Sequence, residues 1–170
     1  NIEITSKDNF MQVDMFTMKS LEIFERYDGL KKGSLIDTID KTQTACGARM
    51  LRTFLKKPLI NKNDIEYRHN LVESFLYNYK NLEIITKLLA NIPDLERAIA
   101  RVTAKTNNPR DLILIRQFID FTEKIFIELK KVEEKNLREL IPQKKVLDRA
   151  SNIKKIIEEQ IKDTPPVNLN

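Results

Sequence analysis

The sequence predicts an all-helical fold: an irregular multi-helix bundle with long helices and at most one short N-terminal strand. Three observations carry this. Glycine occurs only at Gly29, Gly33 and Gly47, fewer turn residues than a sheet-rich chain needs. Apolar residues recur three and four apart along most of the chain, the helical period. Capping side chains or prolines stand ahead of those periodic runs.

Phe10, Met11, Gln12 and Val13 read apolar-apolar-polar-apolar, a short extended stretch. A helix over residues 14–25 follows, with Met15, Met18, Leu21 (or Glu22) and Phe24 on one face. Asp28-Gly29 and Lys32-Gly33 mark a turn. Ser34 caps a short helix carrying Leu35, Ile36 and Ile39. Thr44 caps a helix over 45–55, with Met50, Leu51, Phe54 and Leu55 on its apolar side. Pro58 ends it, because a residue before proline avoids the α region. Asn61 caps a helix through 76, with Asp64 in its first turn and Ile65, Val72, Phe75 and Leu76 inward. Another helix covers 82–89, and Pro93 opens one through about 102 from its first position.

Asn108-Pro109 is the clearest start signal in the chain. The helix it opens reaches 131. Leu114, Phe118, Phe121, Ile125 and Leu129 form one stripe; Leu112, Ile115, Ile119 and Phe126 form a second. Two stripes predict contact with several neighbours. Pro142 breaks the pattern. The last helix, 143–162, carries Val146, Leu147, Ala150, Ile153, Ile157 and Ile161, and Pro165-Pro166 stops it. Its narrow stripe suits one neighbouring helix. Phe118, Ile115 and Ile119 are therefore expected to be well buried, and Ile153, Ile157 and Ile161 to be more exposed. There is no internal repeat and no low-complexity segment.

Composition bounds the function. Hydrophobic residues make up 41% and charged residues 32%, a folded rather than a disordered balance. No apolar run approaches membrane-spanning length. The first residues, Asn1 to Thr5, lack the basic-then-apolar order of a secretory signal. They also lack an initiator Met, which points to a piece cut from something longer. The single cysteine, Cys46, rules out a disulfide framework and suits a reducing cytoplasm. Net charge is +5 and the pI about 9.2. Lysines and arginines alternate with acids, so a solvated helical surface outweighs a dedicated phosphate-binding face.

Chemistry-bearing patterns are few. Three scattered glycines cannot make the run ending in Gly-Lys-Ser/Thr that cradles phosphates. One Cys and one His cannot make a structural zinc site. His69 reads as a surface or boundary residue rather than part of a catalytic triad. Asp94 and Glu96, beside Pro93, read as acids that complement a helix N-terminus. Arg97 and Arg101 lie one turn apart, where both can reach one acidic partner; an interhelical salt bridge outweighs a phosphate clamp. The small residues of Thr44-Ala45-Cys46-Gly47-Ala48-Arg49 favour close packing over a reactive thiol. The helix that follows offers Arg49, Arg52, Lys56 and Lys57, without the Asn or Gln readers that base contacts use.

Several motifs go beyond composition. Asp14, Thr17 and Met18-Lys19-Ser20-Leu21-Glu22-Ile23 resemble a stretch of the MutS family of DNA mismatch-repair ATPases, with Ser20 where those proteins usually carry Asn. Gly33-Ser34-Leu35-Ile36-Asp37-Thr38-Ile39-Asp40-Lys41-Thr42 resembles the next segment. Thr44, Gly47, Arg49, Leu51, Arg52, Leu55, Pro58 and Leu59 match a third pattern, with Phe54 where tryptophan is common. Ile65, Arg68 and Val72 match a fourth. Ile92-Pro93-Asp94-Leu95-Glu96-Arg97 and Asn108-Pro109-Arg110-Asp111-Leu112 match two more. Asp163-Thr164-Pro165-Pro166 resembles the segment before the family's DNA clamp. The matches run in the family's order and spacing along nearly the whole chain.

The resemblance implies the first part of the core, or lever, domain. It divides the chain into an entry segment with a first helix (1–30), a short-helix core (31–106), long lever helices (107–163) and a lead-in to the clamp (164–170). Catalytic, cofactor and metal residues are expected to be absent here. The full protein would bind mismatched DNA, hydrolyse ATP with Mg²⁺, act as a dimer and meet a MutL-type partner in the cytoplasm. Two rivals remain. A free-standing basic nucleic-acid-binding module would show tight, strongly salt-dependent DNA binding. A helical adaptor for other proteins would show an exposed apolar patch.

Overall fold

The structure, a computed structural model, describes residues 10–106 and 108–162. The segments around Pro165-Pro166 and the 163–166 motif lie outside them. Among the described residues there are nine helices and no named strand, so the all-α expectation holds. The short extended stretch at the start is a single antiparallel bridge between Phe10 and Leu59, with the Met11 N–H donating to the Pro58 carbonyl at 2.8 Å. The chain forms two compact units, divided between Asn70 and Leu71.

The first unit holds α1 (Met15–Ser20), α2 (Leu35–Ile39), α3 (Ala45–Lys56) and the start of α4 (Lys62–Tyr77). Its starts are capped by Ser34, Thr44 and Asn61 as the sequence indicates, and also by Asp14, expected inside the first helix. Asp14, Ser34 and Thr44 side chains accept N–H groups from Thr17, Asp37 and Gly47. The Asn61 carboxamide oxygen accepts those of Asn63 and Asp64 at 2.9 and 3.3 Å. The buried residues are Met18, Ile23, Ser34 and Ile36.

The expected helix over 14–25 is wrong in length. Glu22 adopts a left-handed φ of 50°. The Glu22 N–H then bonds the Lys19 carbonyl and the Ile23 N–H bonds the Met18 carbonyl, at 3.0 and 3.1 Å. That pair of bonds closes a helix end, here without the usual glycine. The chain beyond it runs beside the start of α2, with Leu35 and Ile36 N–H groups on the Glu22 and Ile23 carbonyls. Leu35, Ile39, Met50 and Phe54 are exposed, against the inward positions assigned to them.

The second unit contains the rest of α4, α5 (Tyr79–Leu89), α6 (Leu95–Thr103), α7 (Pro109–Lys131), α8 (Lys135–Arg138) and α9 (Lys144–Gln160). α7 packs against α5, α6, α8 and α9, as its wide apolar face requires. Ile85, Ile125, Leu129, Val132 and Leu137 make the buried core. Leu71, Phe75, Leu88, Leu89, Ile92, Phe126 and Ile141 surround it.

Five expectations are corrected here. α5 starts at Tyr79 rather than at residue 82, directly after Asn78, whose side chain donates to the Ser74 carbonyl at 2.9 Å. Pro93 precedes the cap of α6 instead of occupying its first turn, because Asp94 is the N-cap. Val72 and Leu76 face solvent while Ser74 is buried. Ile157, expected to be open, is only 5% exposed, whereas Ile153 is 48% exposed as anticipated. α9 packs along α7 and turns Ile157 fully inward. On α7, Ile119 is buried as expected, but Phe118 and Ile115, expected to be well buried, are only half-buried, and Ile113, outside both stripes, is buried.

Candidate functional site

In the second unit the motif residues converge on the α6–α7 junction. Asn108 caps α7 with its side-chain oxygen on the Asp111 N–H at 3.3 Å. Asp111 Oδ2 accepts the Asn108 N–H at 3.0 Å, and Pro109 holds the first helical position. This reciprocal box satisfies two helix-end donors at once. Asp111 Oδ1 accepts Arg101 Nε at 2.8 Å and also Arg101 Nη2. The Asp111 side chain is 4% exposed and that of Arg101 41%.

The bond from Arg101 holds the Asp111 carboxyl below its ordinary range, against the desolvation that would raise it; the Asn108 N–H adds to the lowering. In turn Asp111 raises Arg101. Both carboxylate oxygens are engaged, so this group has no lone role as a proton acceptor. It locks α6 to the start of α7. Arg97 does not share the acid: its Nε lies 3.3 Å from Asp94 Oδ2 within the same first turn. The interhelical bridge therefore involves Arg101 alone. Glu96 and Arg110 are exposed.

In the first unit, Gly47 sits under the loop that precedes α3. A Cβ there would lie 3.0 Å from Thr44 Oγ1 and 3.4 Å from Thr42 Cβ, so the small residue serves close packing. Arg49 Nη2 donates to Cys46 Sγ at 3.3 Å. The Arg68 guanidinium lies 3.7 Å from the Phe54 ring centroid, a stacked cation–π contact. Arg52 and Lys56 both sit over Phe24, at 5.9 and 5.6 Å. Pro58 supplies the carbonyl of the bridge to Met11. His69 is exposed. These contacts hold segments together, and Phe24, Arg52 and Lys56 also line one cleft.

Sequence reasoning missed one cluster. Lys154 of α9 reaches Asp120 at 2.5 Å and Glu123 at 3.1 Å on α7. Asp120 first and Glu123 second raise the lysine pKa, opposed by desolvation. The signal was present as two acids three apart on α7, but nothing in sequence names their partner, 31 residues beyond Glu123. Beside this bridge α7 and α9 leave an apolar cleft of about 470 Å³, lined by Phe118, Phe126, Val146, Leu147 and Ala150 among others.

The sequence profile of MutS domain III matches residues 16–170. The chain belongs to the MutS family. Among the relatives, the DNA mismatch repair protein MutS of Clostridioides difficile is 32% identical over 99% of this chain and 18% of its own length. That of Listeria monocytogenes is 35% identical over 95% of this chain and 18% of its own. That of Halalkalibacterium halodurans is 30% identical over 99% and 19%. The chain thus spans about a fifth of the length of the curated relatives it matches.

As a piece of MutS sequence the chain can be tested against the nucleotide that the family implies. Glycine at 29, 33 and 47 never forms a phosphate-cradling run. Among the described residues no three His, Cys, Asp or Glu side chains gather where a metal ion could be held. Among the described residues, no helix of this MutS segment is long and apolar enough to cross a membrane.

Proposed function

We propose that the chain is the core, or lever, segment of a MutS-type mismatch-repair protein, a set of rigid helices that couples a DNA clamp to an ATPase domain. The full protein would bind mismatched DNA, hydrolyse ATP with Mg²⁺, act as a dimer, meet a MutL-type partner and work in the cytoplasm. The segment itself would supply no catalytic residue. The observation that carries the reading is the fixing of α7. Its start is locked by Asn108, Asp111 and Arg101, its length is bridged to α9 by Lys154, and its end is sunk in the core at Leu129 and Val132. A close-packed helix held along its length deforms little, and so passes a displacement at one end to the other.

The test is to soften α7 in the full-length protein without touching its buried face. Gln117→Gly with Lys124→Gly, both at exposed positions, removes roughly 1 kcal/mol of helix propensity at each site relative to alanine. Mismatch binding and basal ATP hydrolysis should each persist. The change in ATP hydrolysis on adding mismatched DNA should fall several-fold. Unaltered coupling would overturn the lever reading. So would saturable ATP binding, or tight mismatch-selective DNA binding, by the 170-residue chain alone.

A further inference from the structure

The first unit carries an apolar, cationic cleft, lined in part by the motif residues Met18, Lys19 and Arg52. α1 leaves Met15 and Phe16 at the surface, 76% and 81% exposed, and Leu21, Tyr27 and Leu30 are open nearby in sequence. Isolated exposed apolar residues are ordinary, but a group of this kind marks an interaction surface. Met15, Phe16, Met18 and Phe24 line a cleft of about 500 Å³ together with Lys19, Glu25, Arg52 and Lys56. Arg52 and Lys56 stand one helical turn apart over the same Phe24 ring. Among the described residues, neither Lys56 nor Lys19 is held in an ion pair, and Arg52 makes no contact ion pair, acting on the Asp40 carboxylate only at longer range. Like charges at this spacing repel, and the single lining acid, Glu25, leaves the cleft net positive.

We propose that this cleft docks an acidic segment of a partner protein. A carboxylate of the segment would sit among Lys19, Arg52 and Lys56, and a neighbouring apolar side chain would enter between Met15, Phe16 and Met18. Thioether side chains adapt to varied apolar shapes, and a carboxylate relieves the repulsion between the two cations over Phe24. A nucleic-acid strand fits less well. It needs open aromatic faces and an unbroken cationic track, whereas Phe24 is already covered by cations and Glu22 and Glu25 interrupt the charge.

The chain contains no tryptophan, so Phe16→Trp places one fluorescent reporter on the rim. The probe is a synthetic peptide of roughly a dozen residues with Glu flanking a Leu-Phe pair, a length typical of groove-bound segments. Binding should be saturable, shift the tryptophan emission to the blue and weaken with salt. Replacing Glu by Gln in the peptide should weaken it by about tenfold, and Arg52→Gln with Lys56→Gln in the protein should do the same. Lys19→Gln with Lys56→Gln, which leaves Arg52 on its ring, is the second variant; circular dichroism checks that each variant is folded. Equal affinity for the Gln peptide, or folded variants of both kinds that bind as the parent does, would overturn the proposal. Tighter binding of an oligothymidylate than of the peptide would assign the cleft to nucleic acid instead. The same reporter in the full-length protein should be open to acrylamide quenching; a shielded indole would mean that the polypeptide covers this face itself, and that no partner docks there.

Discussion

Replacing Asp111 by alanine tests the α6–α7 lock most directly. The substitution removes the acceptor for the Asn108 N–H at 3.0 Å, a capping bond contributing about 1 kcal/mol. It also removes two charge-assisted bonds to Arg101. Bonds of that kind contribute about 1.5–3 kcal/mol when shielded. The Arg101 side chain is 41% exposed and regains water when released, so about 1 kcal/mol is the discounted figure. Together the loss is about 2 kcal/mol, or a fall in Tm of roughly 4–8 °C for a chain of this size. Urea unfolding of the 170-residue chain, followed by far-UV circular dichroism, measures it. Arg101→Met should destabilise more than Asp111→Ala, because it strands a carboxylate that is 4% exposed, whereas alanine releases the guanidinium to solvent. The native carboxyl pKa is lowered, so its contribution is complete above about pH 5 and is lost as pH falls towards the native value. Stability of the alanine variant should therefore decline less steeply on the acid side. An Arg101→Met chain as stable as Asp111→Ala, or parallel acid profiles, would refute the lock.

Three further outcomes are expected from the same unfolding assay. Ile157→Ala should cost about 2–4 kcal/mol, while Ile153→Ala, at an exposed position of the same helix, should stay within about 0.5 kcal/mol of the parent; equal effects would show that α9 does not seat on α7 as described. Gly47→Ala should be near neutral, since roughly 1 kcal/mol gained in helix propensity is offset by crowding of the Thr44 cap at 3.0 Å; Gly47→Val should be clearly destabilising, and a stabilised valine chain would contradict the packing role. Lys154→Met should lose roughly 1 kcal/mol at neutral pH. Its native pKa is raised, so the bridge is fully present below about pH 10.4 and disappears as pH rises beyond it; variant and parent that differ equally at pH 7 and pH 11 would exclude the ion pair.

The parts of the fold legible in sequence are those set by local chemistry. Ser34, Thr44, Asn61 and Asn108 each oxygen-cap the helix that follows, because a capping side chain acts on N–H groups two or three residues away. The α7 helix was legible because its period is written over 23 residues, but its inner face was read only in part, since Phe118 and Ile115 are half-buried and Ile113 lies outside the expected stripes. What failed depends on distant partners or on unusual backbone. The early end of α1 rests on a left-handed Glu22, a conformation for which glutamate gives no signal. α8, four residues long, is too short to show a period. The exposure of Val72 and Leu76 and the burial of Ser74 depend on which neighbours α4 meets, which its own sequence does not state. The candidate site divides the same way. The Asn108 cap and an interhelical salt bridge from this arginine pair were readable, whereas the choice of Arg101 over Arg97 and of Asp111 as its acid needed the α6–α7 turn to be built.

The motif residues of a chain that spans about a fifth of its relatives' length share one kind of placement. The motif residues are spent on joints: a cap and its buried acid at Asn108 and Asp111, a stack at Arg68 and Phe54, a close approach at Gly47. The first two tie one helix to another, and the third packs a helix start against the loop that precedes it. The long apolar positions between them are interchangeable with residues of similar volume, but a joint is not, because its hydrogen-bond geometry admits few alternatives. A segment whose task is to keep angles between helices would therefore show its specificity at helix ends, where its motifs lie. On this argument a full-length protein with Asp111→Ala should lose coupling between DNA binding and ATP hydrolysis before it loses either activity. A substitution of matched volume such as Leu114→Met should leave coupling as it is. If the leucine change uncouples the protein and the joint change does not, the specificity resides in the packing of the shafts and the joint argument fails.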